Sequence, residues 1–121
     1  MSIVLAHSGA ARTARRLVAQ CCADAGTGRV ASDTAQLLTS ELVTNALLHG
    51  CGRVRLDVEA DASTVRVGVR DDNPRHPRAP VQRDDAEGGR GMLIVAALAS
   101  GWGVLDTPPG KTVWFDVVAQ P

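Results

Sequence analysis

The chain has 121 residues, 45% hydrophobic and 21% charged, which bounds it to one ordinary globular domain with a single core. A domain of this size buries about two-thirds of the surface its unfolded chain exposes. Formal net charge is zero and only Trp102, Trp114 and Phe115 are aromatic, so neither a general polyanion binder nor a stacking platform for single-stranded nucleic acid is expected.

From Ala11 to Ala25 apolar residues recur at Ala14, Leu17, Val18, Cys21, Cys22 and Ala25, which predicts a first helix. Ser8 or Thr13 is placed to cap it, and Gly26 to end it. A second helix is expected from Ser32 or Asp33 to His49, with Leu38, Leu42, Val43, Ala46 and Leu47 inward and Gly50 as its stop. Val54, Leu56 and Val58 then alternate with Arg55, Asp57 and Glu59. After a turn at Asp61-Ala62-Ser63, Val65, Val67 and Val69 alternate with Arg66, Gly68 and Arg70. This pattern predicts an antiparallel hairpin with one buried and one wet face.

Residues 74–90 break the periodicity with Pro74, Pro77 and Pro80 and several charges, and so form a long loop. Met92 to Ala99 forms a short apolar helix, too short to span a bilayer. Trp102 to Leu105 and Thr112 to Val118 form two more strands around Thr107-Pro108-Pro109-Gly110, with Val113, Phe115 and Val117 on one face. Strands arrive in hairpin pairs rather than alternating with helices. The fold class expected is therefore α+β: a two-layer sandwich in which about three helices cover one face of a mostly antiparallel, mixed sheet. Three cysteines, Cys21, Cys22 and Cys51, give neither a disulfide framework nor a metal spacing. No secretory signal is visible at the N-terminus, and a reducing cytoplasm is expected.

Four short segments carry chemistry. Glu41 and Asn45 stand one helical turn apart on the second helix, so their side chains project side by side. A carboxylate beside an amide oxygen suits Mg²⁺ shared with phosphates, or a base acting on a hydroxyl; the same spacing also suits a plain polar stripe. Asp71 continues the inward set Val65, Val67, Val69, where a carboxylate needs a hydrogen-bonding partner. A purine amino group is one such partner. The alternative is a turn, since Asp71-Asp72-Asn73-Pro74 is rich in turn formers. Gly88-Gly89-Arg90-Gly91 opens a helix without a capping Ser or Thr, which leaves backbone N–H groups for a phosphate, or else marks a loop end. Gly110-Lys111-Thr112 is not a P-loop, because Leu105 stands where a glycine is required and a strand follows. The Thr112 hydroxyl can reach a phosphate or a water near a base, or simply sit in a hairpin turn.

Taken in this order, the four segments resemble the Bergerat ATP-binding fold of the GHKL superfamily, and within it the anti-sigma-factor serine/threonine kinase branch. Leu37 to Gly50 resembles that branch's N box, Val67 to Pro74 its adenine box, Gly88 to Val95 with Trp102-Gly103-Val104 its second glycine box, and Gly110 to Phe115 its closing strand. The likeness runs from about Arg12 onward. It implies a single ATP-binding domain over residues 1–121 with ATP and Mg²⁺ as cofactors. Asn45 would ligate the metal and Glu41 would be the general base toward a protein serine. Asp71 would accept from the adenine amino group, with a water shared by Thr112. Asn73, Gly89, Arg90, Gly91 and Met92 would line the nucleotide, under a lid over about 74–90. Asn73 and Arg75 stand where the family's adenine box often has glycines. The implied partners are a sigma factor and an anti-anti-sigma protein of the STAS type, with a homodimer possible and the family's initial strand either lost or supplied by Ile3-Val4-Leu5. A nucleotide-responsive binding module without kinase activity is the alternative.

Overall fold

The computed structural model describes residues 1–6, 8–50, 52–75 and 89–119, with only the backbone given for Gly89 and Arg90. The element order is β1 (Ser2–Leu5), α1 (Ala10–Ala25), α2 (Arg29–His49), β2 (Val54–Ala60), β3 (Thr64–Asp71), α3 (Gly89–Leu98), β4 (Gly101–Thr107) and β5 (Gly110–Val118). Five strands form one sheet in the order β1-β2-β3-β5-β4.

The alternation of valines decides which face of the sheet is dry. Val54, Leu56 and Val58 of β2, Val65, Val67 and Val69 of β3, and Val113, Phe115 and Val117 of β5 are all buried on one side. Ala31, Ala35, Leu38, Leu42, Val43 and Ala46 of α2 pack onto that side, with Ala10, Ala14, Val18 and Cys22 of α1 and Met92 and Val95 of α3. Small residues along α1 and α2 let these helices lie close together, and Arg15 Nη1 bonds Ser40 Oγ across them at 2.9 Å. The result is the expected two-layer α+β architecture. Every pairing among the described strands is antiparallel, so the sheet is not mixed. The reason is local: β2–β3 and β4–β5 are hairpins, and β5 rather than β4 pairs with β3.

The initial strand allowed for at Ile3-Val4-Leu5 is present: Ser2–Leu5 forms an edge strand on β2, and the Met1 amino group bonds Val58 O at 2.7 Å. Three helix starts differ from the sequence expectation. α3 begins at Gly89 rather than Met92. α1 is preceded by Gly9 in the left-handed region and has no side-chain cap, so neither Ser8 nor Thr13 serves. α2 begins at Arg29 behind Gly28, placing Ser32 and Asp33 inside the helix. Gly26, at φ 72°, does close α1 as expected. The β2–β3 turn is held by Asp61, whose Oδ1 accepts from Ser63 N at 2.7 Å and Thr64 N at 2.9 Å.

Gly110, at the head of β5, is packed so tightly that a methyl group there would run into the Asp71 carbonyl oxygen, whereas at Gly101 the nearest atom would be 3.9 Å away. Gly110→Ala is therefore expected to cost about 3 kcal/mol, the upper end for overpacking. Gly101→Ala should leave stability close to wild type; urea unfolding of both variants checks the contrast.

Candidate functional site

The C-terminal half of α2, the end of β3, the start of α3 and the start of β5 meet at one end of the sandwich. Glu41 and Asn45 lie on α2, both half-buried. A Cβ built on Gly91 would stand 3.1 Å from Glu41 Oε2 and 3.6 Å from Glu41 Cβ. Glycine at 91 thus lets the first turn of α3 approach the α2 carboxylate, and the structure brings these two predicted site residues together. Gly89 and Gly91 both fall in that first turn, where helical N–H groups lack partners within the helix. The Arg90 side chain and lid residues 76–88 lie outside the described residues.

Asp71 is the last residue of β3 and only 2% exposed. A charged carboxylate at that depth costs several kcal/mol unless it is paired. Its partner is Lys111, 5% exposed, whose Nζ lies 3.0 Å from Asp71 Oδ1, 3.0 Å from Oδ2 and 3.0 Å from Asn73 O. Asp71 Oδ1 also accepts from Asn73 N at 2.7 Å, and Asn73 Oδ1 from Arg75 N at 3.0 Å. The turn alternative at Asp71-Asp72-Asn73 is therefore realised in the geometry, as two consecutive Asx turns. The Asn73 side chain donates to His49 O at 2.7 Å, fastening the end of β3 to the end of α2. Gly50 sits over the pair: a Cβ there would lie 2.7 Å from Asp71 Cγ and 2.9 Å from Oδ2.

Two predicted site residues are corrected. Met92 is fully buried in the core beside Val95, so its side chain is packing and does not line an open site. Thr112 lies on the opposite face of the sheet from Asp71. The register pairs Asp71 with Lys111 and Arg70 with Thr112, so alternation turns Lys111 inward and Thr112 outward. The Thr112 hydroxyl shares a 3.1 Å hydrogen bond with Thr107 Oγ1. On this outer face Thr112, Trp114, Leu105, Arg66, Gly68, Asp57 and Glu59 line a shallow groove of about 310 Å³. Arg66 stacks 4.6 Å over the Trp114 ring and bonds Asp116 at 2.6 Å, which holds the guanidinium pKa above its usual value.

Lys111 is the site residue that sequence reasoning missed, although the signal was present. Val113, Phe115 and Val117 share one face in the sequence pattern, and Lys111, two residues before Val113, continues it once β5 is seen to start at Gly110.

A sequence model of the histidine kinase-like ATPase domain matches residues 4–117. The chain belongs to that family. An ATPase domain implies ATP as its ligand. Among solved structures, the histidine kinase domain of a blue-light activated histidine kinase from Erythrobacter litoralis is similar, with a TM-score of 0.55 and 21% sequence identity. That likeness shows the fold. It covers 90% of this chain and 60% of the other, so this chain spans about three-fifths of the kinase domain's length. No curated protein sequence matches the chain significantly. Among the described residues no helix is long and apolar enough to cross a membrane. Nor do three His, Cys, Asp or Glu residues gather among them as a metal cage.

The residues would fit a nucleotide unequally. The glycine turn of α3 beside Glu41 could take a phosphate, whereas Asp71, the acceptor expected for a base, already carries an internal donor. Asp71→Asn would leave the Lys111 ammonium buried without a countercharge, at a cost of about 3–5 kcal/mol. Asp116→Asn removes the charge opposite the exposed Arg66 and should move the unfolding midpoint far less. Urea melts of the two variants test the difference.

Proposed function

We propose that this protein is a regulatory ATP-binding protein of the anti-sigma-factor kinase type, which phosphorylates a serine on a STAS-type anti-anti-sigma partner and sequesters a sigma factor. The observation that carries this reading is the approach of Gly91 to Glu41, which sets a carboxylate beside the glycine-rich start of α3. A phosphate held at the N-terminal turn of α3 would place its reacting end near that carboxylate. Glu41 is then the group to take the proton from a serine hydroxyl, and Asn45, one turn away, supplies an oxygen to Mg²⁺. Gly89 and Gly91 contribute backbone N–H groups, and Asp71 orients the base through its carboxylate. ATP when bound supplies the phosphoryl group. The neutral net charge and the small number of aromatic residues agree with protein partners rather than nucleic acid. The edge strand β1 offers a surface for a homodimer.

A second reading has its own support. Because the base acceptor is already paired with Lys111, a protein that uses nucleotide as a conformational signal without turnover is the alternative.

The test uses labelled Mg-ATP and a STAS protein encoded beside this chain's gene. Wild type is expected to transfer label to a serine. Glu41→Ala should bind ATP with unchanged affinity and transfer about 10²–10⁴ times more slowly, the usual contribution of a general base. Transfer that persists in Glu41→Ala would remove Glu41 from the role. ATP binding without any transfer by wild type would favour the binding-module reading.

A further inference from the structure

Lys111 is the chain's single lysine, against 12 arginines. It is buried, and its position is not required by the core, since the same strand fills the core with Val113, Phe115 and Val117. We propose that Lys111 gates base recognition: in the free protein its ammonium occupies the acceptor that Asp71 offers, and an adenine nucleotide binds by displacing it. The proposal rests on the reading of Asp71 as the base acceptor.

The geometry is that of a saturated internal ligand. An ammonium has three N–H donors and no acceptor. All three find partners at 3.0 Å: Asp71 Oδ1, Asp71 Oδ2 and Asn73 O. No proton is left to greet a ligand. The acceptor is equally occupied, because Oδ1 also receives Asn73 N and Oδ2 lies close beneath Gly50. A purine amino group directed at this carboxylate would present neutral N–H donors to the same oxygens that the ammonium occupies now. The two therefore compete for one acceptor.

Residue type favours a movable partner over a fixed one. A guanidinium would hold a carboxylate with a planar, preorganised fork. Lysine places a compact charge on a flexible four-carbon stem, so it can leave without remodelling the backbone. The surroundings hold the acceptor still while the cation exchanges. Asn73 is tied to His49 O, and Gly110 packs its backbone against Asp71. Affinity for the base is then reduced by the fraction of molecules in which the pair is closed, and removing the lysine removes that reduction.

The experiment measures acylation of Lys111 by an acetyl N-hydroxysuccinimide ester, read by peptide mass, alongside calorimetry with Mg-ATP. The intact wild-type chain is used first. Lys111 should acylate far more slowly in the folded protein than in urea. Saturating Mg-ATP should raise its rate about tenfold or more, the inverse of the fraction of free molecules in which the pair is open. Magnesium tripolyphosphate, which has phosphates and no base, should leave the rate unchanged. Lys111→Thr should bind Mg-ATP about tenfold more tightly than wild type. If ATP binds wild type while Lys111 stays as protected as before, the gate is refuted and Lys111 is a structural residue, whether or not the variant folds. If tripolyphosphate exposes Lys111 as well as ATP does, displacement by the base is refuted. If neither wild type nor Lys111→Thr binds Mg-ATP, the base-acceptor reading of Asp71 fails together with the gate.

Discussion

An ammonium and a carboxylate face each other inside this domain, and the geometry of one end of the sandwich hangs on them. Asp71 ends β3 and Lys111 begins the inner face of β5, in direct register. In the free protein each charge answers the other at that depth, which ties the ends of the two strands together. The same lysine reaches Asn73 O, and Asn73 in turn holds the last carbonyl of α2. One ion pair thus fixes where α2 ends, where β3 turns and where β5 starts. These are three of the four elements that frame the candidate site. The fourth, α3, is set against α2 by a glycine that clears Glu41.

The sheet divides the chemistry between its two faces. The inner face carries the valine core and, at its end, the ion pair. The outer face carries Arg66, Trp114 and Asp116 as a stacked and hydrogen-bonded cluster beside a shallow groove. Thr112 belongs to the second face, although it adjoins Lys111 in sequence. A nucleotide bound among α2, β3 and α3 would therefore meet Lys111 and not Thr112. Any interaction of Thr112 with a ligand would concern the other side of the molecule.

Much of this was legible in the sequence. Period-two valines placed β2, β3 and β5 and their dry face, and helical spacing placed Glu41 and Asn45 side by side on α2. The glycines at 89 and 91 announced a helix just after them, and they prove to lie inside its first turn. Less was legible where a decision depended on register rather than on pattern. Whether Lys111 or Thr112 faces Asp71 is a question of which residue of β5 lies opposite the end of β3, and one position reverses the answer. Asp71 needs a hydrogen-bonding partner at its inward position, and alternation back from Val113 points to Lys111 as one within the chain. β1 has only four residues and no alternation of its own, so it takes its strand character from pairing with β2. The glycine caps at Gly9 and Gly28 replace the side-chain caps that Ser8, Thr13, Ser32 and Asp33 advertised. Backbone conformation, which composition does not announce, decided those ends.

The claim on which the rest depends is that the single lysine is buried and paired with Asp71 in the free protein. Nitrogen-15 labelling of lysine gives one side-chain ammonium signal, and an exposed ammonium exchanges its protons with water too quickly to be seen at neutral pH and room temperature. The account predicts a visible, slowly exchanging signal with cross-relaxation to Asn73 protons, lost in Asp71→Ala. A wild-type ammonium whose protons exchange as fast as those of a free lysine side chain would contradict it.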